Sequence, residues 1–197
     1  MTEIEGQSEY EGTAQKETKT EIQLDELKNI DTIAQALGGQ KKAFQKIAAK
    51  IVRILHRSVL DFDTTISSDN IVQLLLYLNS GINFSVSEGL VATELLSRFI
   101  NKQTERGRHA LKNNNIGTML VCLTLITLKT CRDKVAKNSF FAYQFSMQTS
   151  ILNLSEVAFL KLMDFDLWVE EHDFWKIFQE VANEQVDNKV QNSTVGA

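Results

Sequence analysis

The 197-residue chain contains no proline, two cysteines and three histidines, and each shortage removes a class of protein. Without proline, nothing in the sequence demands a kinked helix or a rigid turn, so long uninterrupted helices are allowed throughout. Cys122 and Cys131 are too few and wrongly spaced for a disulfide framework or a structural zinc site, which points to a reducing compartment. His56, His109 and His172 lie far apart on polar positions and read as solvated surface residues. A basic face is lacking too: the formal charge is -4 and the pI is near 5.5, so a phosphate backbone is not an expected ligand. No apolar run reaches the length needed to cross a bilayer, and the polar, acidic amino terminus does not resemble a signal peptide. These features together predict a nuclear or cytoplasmic protein with neither nucleic acid nor membrane as a partner.

The usual catalytic signatures are absent as well. There is no GxSxG elbow, no GxxxxGK[ST] phosphate loop and no HExxH zinc pair, and no cofactor or metal is expected. Asp164 and Asp166 have the spacing of an acid/base pair, but they flank Phe165 where a helix gives way to a loop, and capping or turn formation accounts for them. The reading is a non-enzyme.

What the chain does have is 43% hydrophobic residues, sufficient for one compact domain with a core. Residues 1–28 are acidic, small and polar with few large apolar side chains, and read as a disordered arm. Residues 184–197, rich in Asn, Gln, Ser and Thr, read as a disordered tail. Between them, residues 29–183 form the expected domain, and its apolar period is helical almost throughout.

Phe44, Ile47, Ala48, Ile51, Ile54 and Leu55 share one face of a first amphipathic helix. After a polar break at Asp61 to Thr65, Ser67-Ser68-Asp69 offers N-cap oxygens to a second helix, for which Gly81 supplies a left-handed cap. Ser85-x-x-Glu88 has the form of a capping box opening a third helix, whose apolar positions reach Ile100 before the polar stretch Asn101 to Arg108. Ile116 to Leu128 is apolar nearly all round and belongs at the centre of a bundle. Beyond the charged corner Arg132-Asp133-Lys134, helices are predicted over Asn138 to Met147, Ser150 to Met163 and Glu170 to Val181. No stretch alternates with period two, so the fold class is all-α with a central apolar helix.

Lys129 and Glu156 stand out because each ends or interrupts an otherwise apolar helix, where charges are seldom left unpartnered. Two readings are open. Both side chains snorkel to solvent, or they meet at the mouth of a groove and offer hydrogen bonds to another protein.

At these residues the run from Asn114 to Val169 resembles a cyclin box, most closely the single-box P/U-type cyclins. Thr127-Leu128-Lys129-Thr130 matches the family's small-Lys-aromatic motif, and Arg132-Asp133 its Asp-Asp corner. Asn138, Phe141 and Ala142 match the start of the next helix, Asn153, Glu156 and Leu160 the Asn-x-x-Glu-x-x-x-Leu signature, and Phe165 and Leu167 the closing Phe-x-Leu. Leu95 to Ile100 is similar to the family's Leu-Asp-Arg-Phe-Leu helix. The resemblance covers Gln40 to Phe178, with Ser97 in place of the usual Asp, Thr130 in place of an aromatic, and no Met-Arg-Ala-Ile-Leu docking sequence. Arg57-Ser58-Val59-Leu60 fits the loose RxxL pattern, which occurs often by chance.

The resemblance implies a single five-helix cyclin box with flanking amino- and carboxy-terminal helices. It implies a regulatory subunit that binds a cyclin-dependent kinase as a heterodimer and activates it, with Lys129, Glu156, Leu160, Phe165 and Leu167 as the kinase-binding residues. A cyclin-fold adaptor that binds a protein partner without kinase activation is the alternative.

Overall fold

The structure, a computed structural model, describes residues 30–59, 66–108 and 110–185. The arm over residues 1–28, the break at residues 61–65, His109 and most of the tail lie outside the described residues, as does Leu60 of the RxxL sequence. Eight α-helices and no strands occur among the described residues: α1 Ile30–Ala36, α2 Gln40–Ser58, α3 Ser68–Ile82, α4 Val86–Glu105, α5 Ile116–Cys131, α6 Asn138–Gln144, α7 Thr149–Leu162 and α8 Glu171–Ala182. The all-α class follows directly. No helix among them is long and apolar enough to cross a membrane.

Local sequence explains most of these boundaries. Ser67 and Ser85 each accept a hydrogen bond from the backbone N–H three residues on, while the side chains of Asn70 and Glu88 accept in return from the cap N–H groups, so both helices begin in reciprocal capping boxes. Gly81 does not end α3. The helix runs one residue past it, to Ile82, and Asn83 takes the left-handed conformation at φ 54°. Ile82 packs on the core and holds the last turn in place. Asn79 Nδ2 donates to the Phe84 carbonyl across the corner, and asparagine tolerates the left-handed region better than most side chains.

The polar stretch after Ile100 likewise stays helical as far as Glu105. Gln103 is buried, and its Oε1 accepts the backbone N–H groups of Ala110 and Leu111, so a polar residue serves the core by satisfying the chain that returns over it. The seven residues of α1 escaped the periodicity reading because they are too short to show a stripe. They are joined to α2 by Gly38 and Gly39, at φ 92° and 94°, a backbone that favours glycine.

Every residue of α5 from Met119 to Leu128 is buried, which fits the central position expected for it. Its two inward threonines are satisfied within the helix, Thr124 donating to Leu120 O at 2.9 Å and Thr127 to Leu123 O at 2.8 Å. Centrality is nevertheless shared. α5 packs on α4, α6 and α7, whereas α4 touches α1, α2, α5, α7 and α8. The approach of α2 to α4 is close at Gly89, where an added Cβ would lie 3.0 Å from Ile47 Cδ1. α8 and the residues just after it are fastened to α2 by Lys50–Glu180 at 2.7 Å, by Lys46 donating to the Ala182 carbonyl, and by an Arg53–Glu184 ion pair in which Glu184 is buried.

Candidate functional site at the mouth of helices α5 and α7

Lys129 occupies the last turn of α5, and Glu156 lies mid-way along α7, the helix packed beside it. Of the two readings left open, the structure shows the pair. Lys129 Nζ donates to Glu156 Oε1 at 2.5 Å, with the lysine side chain 40% exposed and the glutamate 14%. The second carboxylate oxygen is also engaged: Asn138 Nδ2, at the start of α6, donates to Glu156 Oε2 at 2.6 Å and to Asn153 Oδ1 at 2.8 Å. Three helices thus meet in one polar network. Asn153, Glu156 and Leu160 recur at i, i+3 and i+7, so α7 presents them along one face.

Asn138 and Asn153 were legible as sequence matches, but their role was not, because only the tertiary arrangement shows that they fix the orientation of Glu156. With both oxygens held, the carboxylate is pre-set, while Lys129 keeps donors facing solvent. Charge-assisted bonds of this kind are the stronger sort.

The apolar residues named with this pair are graded in exposure. Leu167 is half-buried against the core, Leu160 is half-buried on α7, and Phe165 is 68% exposed. The structure adds exposed apolar side chains that the sequence did not single out: Leu154 and Val157 on α7, Trp168 after it, and Tyr143 on α6. Their signal was available in the sequence, since Leu154 and Val157 fall off the α7 stripe carried by Leu152, Phe159 and Leu162.

Phe165 stands out for a definable reason. Asp164 and Phe165 sit in the left-handed region at φ 56° and 60°, a backbone that a bulky residue adopts only when its surroundings over-determine it. Here they do. The Phe165 N–H donates to Leu160 O at 2.9 Å, closing the end of α7, and Asp166 N–H donates to Met163 O at 3.0 Å. From α4, Lys102 Nζ reaches Asp164 Oδ2 at 3.0 Å and the Met163 carbonyl at 3.1 Å, and Arg106 Nη2 lies 2.5 Å from Asp164 Oδ2. The Arg106 guanidinium, with Lys102 beside it, holds the Asp164 carboxyl below the usual aspartate range. Asp164 is therefore a turn residue, as its spacing around Phe165 indicated.

Two arginines complete the frame. Arg98 bridges Glu94, the Trp168 carbonyl and Asp173 at 2.8, 2.6 and 2.6 Å, tying the segment after α7 to α4 and α8. Arg132 donates to both oxygens of Glu88, at 2.5 and 2.8 Å, and to the carbonyls of Ile82 and Asn83 at 3.0 Å, fixing the corner after α5 to the start of α4.

Neither cysteine is set up as a nucleophile. Burial pushes the Cys122 thiol up to about 12, with Glu156 adding to the effect and Lys129 opposing it, and burial with Glu88 raises Cys131 to about 11. His172 is exposed beside Asp173, and His56 is exposed on α2. Among the described residues no group of His, Cys, Asp and Glu is arranged to hold a metal ion. Comparison of the chain with protein-family models, with curated proteins and with solved structures returns no match.

Proposed function

We propose that this chain is a cyclin-like regulatory subunit that binds a cyclin-dependent protein kinase and activates it. The observation that carries the proposal is the Lys129–Glu156 pair, oriented by Asn138 and open to solvent on its lysine side, on a helix that also carries exposed Val157 and Leu154 and is followed by exposed Phe165. A polar anchor of fixed geometry on a helix that also exposes apolar side chains suits a binding surface. Nothing in the pattern calls for a reaction at this surface.

On this reading the box docks against the small lobe of the kinase. Lys129 and Glu156 hydrogen-bond backbone groups beside the kinase's regulatory helix, and Leu160, Phe165 and Leu167 pack around them. Holding that helix inward allows its glutamate to pair with the strand lysine that positions the ATP phosphates. The chain supplies position and the kinase supplies chemistry. Such a complex works in the nucleus or the cytoplasm, with no membrane and no nucleic acid required.

One observation favours the second reading, an adaptor that binds without activating. Thr130 fills the position of the usual aromatic, and its hydroxyl turns back to donate to Ile126 O at 3.0 Å, so it adds no ring to the interface. Affinity purification of tagged protein from its native cells, comparing wild type with Lys129→Ala/Glu156→Ala, separates the two. A kinase recovered active with wild type alone supports the regulator. A kinase recovered inactive supports the adaptor, and equal recovery with both proteins overturns the site.

A further inference from the structure

A separate cleft of about 420 Å³ opens between the end of α4, the first half of α5 and the side of α7 away from the Asn153–Leu160 face. Its volume lies near the small end of the roughly 300–1,000 Å³ typical of pockets that bury a small ligand. The floor is apolar and well fixed: Phe99 and Phe159, stacked with ring centroids 4.7 Å apart, lie with Leu111, Met119 and Leu162, all buried. Thr118, Ser155 and Asn115 add a few polar atoms.

The rim differs in kind. Arg108 and Lys161 both line the cleft and both are exposed, and neither has an ion-pair or hydrogen-bond partner for its side-chain charge among the described residues. No acidic residue lines the cleft: Asp164, three residues from Lys161, is already shared by Lys102 and Arg106, and Glu105, three residues from Arg108, makes no ion pair with it among the described residues. A chain with a formal charge of -4 thus carries an unneutralised positive mouth over an apolar hole. Unpaired cations raise the local concentration of anions and favour a carboxylate placed between them.

We propose that this cleft binds an amphipathic monocarboxylate, its apolar body against Phe99, Phe159 and Leu162 and its carboxylate between Arg108 and Lys161. A ligand with about a dozen non-hydrogen atoms in all suits a pocket of this size. Cys122, at the foot of the cleft, stays a protonated thiol at neutral pH and contributes packing alone.

The test is isothermal titration of the full chain with decanoate, decanol and decyltrimethylammonium, each below its micelle threshold. The expected result is saturable one-to-one binding of decanoate, with the alcohol weaker and the cation weakest. Arg108→Glu/Lys161→Glu changes only exposed side chains and lowers decanoate affinity by about tenfold or more, the scale of a lost charged hydrogen bond. Ala158→Trp fills the cleft and abolishes binding; should circular dichroism show it unfolded, Ser155→Phe does the same from the neighbouring turn of α7. Equal affinity for all three head groups, indifference to the charge reversal, or decanoate binding by a folded cleft-filled variant overturns the proposal, as does the absence of saturable binding.

Discussion

On the proposed reading, Glu156→Ala separates two roles of the polar network, because the same side chain is worth little to the free protein and much to the proposed complex. In the free chain the substitution removes one ion pair to a lysine that is 40% exposed and one hydrogen bond from Asn138. The first contributes about 0.2–1 kcal/mol after solvent screening, and the second about 0.5–1.5 kcal/mol. The sum, about 0.7–2.5 kcal/mol, lowers Tm by roughly 1.5–10 °C in a domain of this size. In a complex the water around Lys129 is displaced, and leaving one member of such a pair unmatched costs about 2–5 kcal/mol, or roughly 30- to 5,000-fold in Kd.

The assay is therefore paired. Thermal unfolding by circular dichroism reads the first quantity, and titration against the recovered kinase reads the second, with Lys129→Ala and the double variant completing a cycle. Helix content stays at the wild-type level. A binding loss below about threefold in a folded variant would refute the argument, since it would show that the pair stays solvated in the complex.

Phe165→Ala changes stability by less than about 0.5 kcal/mol, because the ring is exposed in the free chain, yet weakens kinase binding by about 2 kcal/mol or more if the ring is an anchor; matched thermal and titration data check both halves. Arg132→Ala removes both bonds to Glu88 and both carbonyl contacts, and is expected to cost roughly 3 kcal/mol in denaturant unfolding, with intact stability counting against the corner's role. Asp164 has its folded pKa lowered by Arg106 and Lys102, so its contribution is fully present above its ordinary value of 3.8 and is lost as pH falls below that through the folded value. Acid titration of the Phe165 ring by NMR should show the turn loosening in that window, and Asp164→Asn should loosen it at neutral pH. Thiol labelling should favour exposed Cys131 over buried Cys122 in native protein and should accelerate as pH climbs toward about 11, whereas equal rates at the two sites would show that α5 opens locally.

Sequence pattern alone determined the helical class, the amphipathic faces of α2 and α4, the buried run of α5, the N-cap oxygens ahead of α3 and the capping box at Ser85. These are set by interactions within a few residues of each other, namely a 3.6-residue period and side chains capping their own helix. Lys129 and Glu156 were legible as misplaced charges, but with solvent exposure and pairing both open, because their separation in sequence says nothing about their distance in space. The choice between those readings belongs to the tertiary structure: the packing of α7 on α5 brings Nζ to Oε1, and α6 delivers Asn138 to the remaining oxygen. It also carried α3 past Gly81, since the burial of Ile82 outweighed the local preference for a glycine cap. Phe165 is the clearest case. Its place in a closing motif could be read in order along the chain, but its outward projection depends on α4, whose Lys102 and Arg106 hold Asp164 and keep the ring in a left-handed turn that no local propensity would select.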